Sequence, residues 1–92
     1  MIYTIITSKE ADKDIAYLKK CEINAYNKVR QLFEELKDHP RTGTGRPEQL
    51  KYGRLKGLWS RRITDKNRLV YSIIDDEVTI YVLSAIGHYG DK

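Results

Sequence analysis

The sequence predicts an α+β fold in which a helical hairpin packs on one face of a mostly antiparallel sheet, in the order β-α-α-β-β-β. Three observations carry this prediction. One short β-branched run is followed by two stretches whose apolar residues recur at helical spacing. From Gln49 onward the pattern changes to three runs rich in β-branched and aromatic residues, separated by short polar connections. Between these halves lies the only stretch with the composition of an extended loop, residues 40–48. The 92 residues suffice for a single domain, 1–92, with one hydrophobic core.

The elements are justified in order. Residues 2–6, IYTII, have the β-branched and aromatic content of a half-buried or central strand. Thr7 and Glu10 stand at capping-box spacing, which predicts a helix start at Thr7. Ala11, Ile15 and Leu18 then share a face, and this helix is expected to fade near Cys21, itself read as a small packed residue. In the second helix Tyr26, Val29, Phe33 and Leu36 form the stripe, widened by Ala25 and Leu32. Pro40 forbids continuation, so this helix should stop at about Asp38, leaving His39 solvated at its end. A short strand is expected at 49–52. LWSRRIT, RLVYSII and VTIYVLSAI follow as strands, joined by TDKN and DDE in hairpin fashion.

Composition excludes several function classes. No apolar run approaches the roughly 18 residues of a spanning helix, so no membrane association is expected. The start, MIYTIITSKE, lacks the basic region of a secretory leader, which points to a cytoplasmic protein. Cys21 is the only cysteine, so neither an internal disulfide nor a cysteine-based zinc site is available. GTG at 43–45 is too short for a dinucleotide fingerprint and lacks a phosphate-loop lysine-serine pair. His39 and His88 have no ligand-type spacing, so no metal and no cofactor are expected.

Charge is distributed unevenly. Residues 45–71 hold eight basic and two acidic side chains, whereas the rest of the chain holds nine basic and eleven acidic ones. The formal net charge of +4 is thus concentrated in one segment, as on a surface that meets a polyanion. Within this basic and aromatic setting stand Glu48 and Arg68, and His88 and Tyr89 lie near the C-terminus. Metal-free RNA cleavage needs a base for the 2′-hydroxyl, a cation for the phosphorane and an acid for the departing 5′-oxygen. Glutamate, arginine and histidine are able to fill those roles, and tyrosine can stack on a base. Facing is left open by the pattern. A four-residue TDKN connection pairs Ile63 with Arg68 and puts Arg61 on Arg68's face; a three-residue loop puts Arg62 there instead.

RPEQLKYGRLKGLWSRRITDKNRLVY, followed by the His88-Tyr89 pair, closely resembles the YoeB (Txe) branch of the RelE/ParE toxin superfamily. The resemblance implies a RelE-like fold and a ribosome-dependent messenger-RNA endonuclease, the toxin of a type II toxin-antitoxin system. It implies a YefM/Axe-type antitoxin as partner, together with the ribosome and mRNA, operator DNA only through the antitoxin complex, and a possible homodimer in the bacterial cytoplasm. It places the general base on Glu48, the transition-state arginine on Arg68 and the general acid on His88. Tyr89, Lys51 and Arg62 match RNA-contacting positions; the resemblance favours Arg62 over Arg61, which is kept as the alternative substrate contact. Two departures stand out: Asn67 precedes Arg68 where the family often has histidine, and Gly90-Asp91-Lys92 extends beyond the HY pair. The competing functions are a ParE-like gyrase-inhibiting toxin, which has no use for a glutamate-histidine pair, and a non-catalytic nucleic-acid-binding module.

Overall fold

The computed structural model describes residues 2–86. Its elements are β1 (Thr4–Thr7), α1 (Lys9–Cys21), α2 (Ile23–Leu36), β2 (Glu48–Gln49), β3 (Trp59–Arg62), β4 (Arg68–Ile74) and β5 (Thr79–Ser84), with single 3-10 turns at Gly53–Leu55 and Asp75–Glu77. The strands form one sheet in the order β1-β5-β4-β3-β2. Only β1 runs parallel to its neighbour, β5; the other three pairings are antiparallel. This is the α+β architecture expected from the sequence.

The helices form where their patterns predict, with three local corrections. The residue capping α1 is Ser8, not Thr7: the Ser8 hydroxyl accepts the Ala11 N–H at 3.0 Å. Thr7 stays in β1, opposite Val82. Glu10 and Asp12 in the first turn and Lys19 and Lys20 in the last complement the helix dipole. Cys21 closes α1 and is exposed rather than packed. It lies beyond Leu18, the last residue of α1 that the core covers. In α2 the buried stripe is Ala25, Val29, Leu32 and Leu36, while Tyr26 and Phe33 pack at its flank. The expected stripe is therefore rotated towards the Ala25 and Leu32 side. His39 is exposed just past the helix, as expected, and Pro40 is buried.

The core lies between this hairpin and one face of the sheet. Leu69, Tyr71, Ile80 and Val82 of the two central strands are fully buried with Leu18, Val29, Leu32 and Leu36 of the helices. Burying a leucine is worth roughly 1.5–3 kcal/mol, so these positions anchor the sheet. Among the described residues neither α-helix packs on the opposite sheet face, and that is where Arg46, Arg62 and Arg68 gather.

The β3–β4 connection settles the facing. Arg62 pairs with Arg68 and Ser60 with Val70. The Ile63 N–H donates to the Asn67 carbonyl at 2.9 Å, so the turn proper is the three residues Thr64, Asp65 and Lys66. The Thr64 hydroxyl holds it by accepting the N–H groups of Lys66 (3.2 Å) and Asn67 (3.1 Å). The even, four-residue alternative is not formed. Directly opposed residues share a face, so Arg62 stands beside Arg68 and Arg61 points away.

Candidate active site

The site is built from the row geometry of three strands. Glu48 of β2 opposes Ser60 of β3, which opposes Val70 of β4. Two residues along, Arg62 opposes Arg68. Side chains of β3 alternate: Trp59 and Arg61 turn to the core and helices, Ser60 and Arg62 to the opposite face, where Ser60 is buried and Arg62 exposed. Arg46, Glu48, Arg62 and Arg68 together line a cleft of about 210 Å³. Arg46, Glu48 and Arg62 are exposed there, and Arg68 is half-buried. Three guanidinium groups around one carboxylate make a pocket suited to a phosphodiester with a proton acceptor beside it.

The loop that delivers Arg46 and Glu48 is held from inside the protein by Arg61. This side chain is fully buried. Its Nε donates to the Tyr71 hydroxyl at 3.2 Å, and Nη1 donates to Glu35 Oε1 at 3.0 Å and to the Thr44 carbonyl at 3.3 Å. Nη2 donates to the carbonyls of Thr42, at 2.7 Å, and His39. The Tyr71 hydroxyl in turn donates to the Pro40 carbonyl at 2.9 Å. One guanidinium thus satisfies three loop carbonyls and a carboxylate, which is what makes its burial tolerable.

Glu35 completes the clasp by accepting the Thr44 N–H at 2.8 Å and the Thr44 hydroxyl at 2.6 Å. Burial pushes its carboxyl upward, but the Thr44, Arg61 and Gln31 donors together outweigh that and hold it below the usual range. Burial also pushes the Tyr71 phenol up, with the Arg61 guanidinium opposing it. The loop then meets β3 at Gly45, whose carbonyl accepts the Arg62 N–H at 2.7 Å. Gly45 has φ +86°, and a Cβ on it would lie 2.8 Å from the Arg62 carbonyl oxygen, so only glycine fits. Arg46 follows at φ 52°, a left-handed conformation that turns the chain towards Glu48.

Of the residues singled out in the sequence, the structure brings Glu48, Arg62 and Arg68 together. It does not bring Arg61: buried on the opposite face, Arg61 is not available to a substrate, because the odd turn sends it towards α2. Lys51 is exposed on the segment after β2 and does not line the cleft. His88 and Tyr89 lie outside the described residues. Arg46 was missed. It carried no signal beyond being one of eight cations in its segment, and its place in the cleft comes from loop backbone geometry. Among the described residues no three metal-ligating side chains gather, and no helix is long and apolar enough to cross a membrane.

Comparison with known proteins finds relatives of this chain in both sequence and fold. Toxin YoeB of Escherichia coli K12 is 38% identical over 76 residues, covering 83% of this chain and 89% of that protein. Toxin YoeB of Mycobacterium bovis is 40% identical over 80 residues, covering 87% and 91%. A Staphylococcus aureus YoeB, solved as a dimer, superposes with a TM-score of 0.81 at 32% identity, covering 97% of this chain and 100% of that one. A YoeB/ParE toxin from Agrobacterium tumefaciens superposes with a TM-score of 0.85 at 28% identity, covering 94% and 99%. Residues 7–89 match the model of the YoeB-like toxins of bacterial type II toxin-antitoxin systems, and the chain belongs to that family.

Proposed function

We propose that this toxin is a metal-independent endoribonuclease that cuts mRNA on the ribosome and so inhibits translation. The observation that carries the reading is the cleft in which Glu48 stands among Arg46, Arg62 and Arg68. In the proposed reaction Glu48 accepts the proton of the 2′-hydroxyl as its oxygen attacks the phosphorus. Arg68, with Arg62 and Arg46, neutralises the phosphorane, where charge builds up most in the transition state. The 5′-oxygen leaves with a proton from His88, giving a 2′,3′-cyclic phosphate and a 5′-hydroxyl. Tyr89 contacts the RNA beside the scissile bond, and Lys51 holds a phosphate outside the cleft. The last strand ends at Ser84, which pairs with Val70, two residues from Arg68.

A cognate antitoxin of YefM type fits the same surface. A YoeB–YefM complex from Staphylococcus aureus superposes on this chain with a TM-score of 0.80 at 30% identity. The localised positive charge favours an acidic, disordered antitoxin segment that orders on binding. We place the protein in the bacterial cytoplasm, bound to operator DNA only through that antitoxin and able to form a homodimer.

The test is induction of Glu48→Gln, Arg68→Ala and His88→Gln beside the parent, with primer extension on cellular mRNA. Each substitution should lower cleavage by roughly 10²–10⁴-fold. Discrete cuts that require translating ribosomes are expected for the parent alone. Growth arrest without cuts, or full activity in Glu48→Gln at matched expression, overturns the nuclease reading.

A further inference from the structure

The segment joining β2 to β3 stands outside the cleft. It leaves the sheet at Leu50 and returns at Leu58, closed on itself by Leu50 N–H to Leu58 carbonyl and Gly57 N–H to Leu50 carbonyl, both 2.8 Å. The Gln49 side-chain amide also donates to the Gly57 carbonyl at 3.3 Å. Its side chains sort by chemistry. Leu50 is buried and Leu55 and Leu58 are half-buried, while Lys51, Tyr52, Arg54 and Lys56 are all exposed. The excursion therefore has an aliphatic root and a cationic, aromatic outer surface, with no acidic residue in 50–58.

Tyr52 is the unusual member. It is 86% exposed, more than any other exposed large hydrophobic residue among those described. A tyrosine set in solvent among three cations offers a stacking face beside phosphate contacts, the combination by which single-stranded nucleic acid is held without sequence readout. The excursion begins two residues after Glu48, so it adjoins in sequence the strand that carries the proposed base.

We propose that the Leu50–Leu58 excursion is a second RNA-binding surface, on which Tyr52 stacks on an unpaired base while Arg54 and Lys56 hold neighbouring phosphates. The proposal deepens the nuclease reading and takes its ligand class from it. An acidic peptide is the competing occupant. A peptide gains most by seating an anchor in a pocket, whereas Tyr52 is 86% exposed and does not line the cleft of Glu48, so its open ring favours a flat base.

The experiment measures binding of a short, unstructured fluorescent RNA to the uncut Glu48→Gln protein by anisotropy over a range of salt. In that background Tyr52→Ala should weaken binding by about 5–150-fold, the usual worth of one stacked base. Tyr52→Phe should restore most of it, and Tyr17→Ala on α1 should change nothing. Arg54→Ala with Lys56→Ala should lower the slope of log affinity against log salt by about 1.4. Unaltered RNA binding by Tyr52→Ala overturns the proposal, as does an equal loss in Tyr52→Phe or an absence of RNA binding in the Glu48→Gln protein. So does weakened binding of an acidic antitoxin peptide with RNA binding unaffected. Tyr52-dependent binding by a parent that never cuts RNA leaves this surface standing and removes the nuclease reading; cutting that ignores Tyr52 does the reverse.

Discussion

Arg61 and Ser60 are adjacent in sequence, and both are buried polar residues with opposite hydrogen-bonding balances. Arg61 donates five hydrogen bonds, to Tyr71, Glu35 and three loop carbonyls. Replacing it with methionine keeps the stem but strands those acceptors, and stability should fall by about 3–5 kcal/mol in urea unfolding. Ser60 is fully buried, and its hydroxyl has no partner among the described residues. Ser60→Ala should leave stability unchanged or raise it by about 1 kcal/mol, read as an equal or higher Tm. A clear loss of stability in Ser60→Ala would mean that the hydroxyl is satisfied in solution. Glu35 adds a pH dependence. Its folded carboxyl lies below its ordinary value of 4.5, so the unfolded chain binds more protons than the folded one. The clasp therefore contributes its full stability above about pH 4.5 and loses it as pH falls through the depressed folded value. Glu35→Gln should be less stable at neutral pH and less sensitive to acid. Some acid sensitivity should remain, because Tyr3 and Arg41 hold Asp75 down in the same way.

At the scale of elements, the loop of residues 39–47 behaves as part of the site rather than as a linker. Arg61 and Glu35 grip its first half, and the Gly45 carbonyl ties its second half to β3 at Arg62. Gly45→Ala forces a Cβ against the Arg62 backbone at a left-handed φ. We expect it to cost about 1–3 kcal/mol and to lower toxicity by shifting Arg46 and Glu48. Normal toxicity with normal thermal stability in Gly45→Ala would show that the loop does not position the cleft. The Thr64–Lys66 turn has equal importance. Its length alone decides which of two adjacent arginines meets Arg68.

For the whole molecule, the division of labour is between two faces of one sheet. The helices cover one face and bury the aliphatic core, while the other face collects the cations. An acidic antitoxin segment bound to that face should lose affinity steeply as ionic strength rises, because the interaction is between partly exposed charges. Titration of the complex between low and high salt checks this, and a flat dependence would count against the charged face as the docking surface. Much of this organisation was legible beforehand. Helix periodicity, the halt at Pro40, the three strand runs and the concentration of cations in 45–71 are local properties, set by side-chain chemistry within a few residues. Glu48 and Arg68 were legible because they stand in recognisable short motifs. Three features were decided only by the tertiary structure: the inward turn of Arg61, the entry of Arg46 into the cleft, and the choice of Ser8 over Thr7 as cap. Each depends on a partner distant in sequence. Arg61 is accepted into the interior because Glu35, His39, Thr42 and Thr44 arrive from another element with oxygens for it. Thr7 is held in the sheet by Val82, 75 residues away. An arginine pair reads alike in either register, and only the closed hairpin and the loop around it determine which side chain the interior can satisfy.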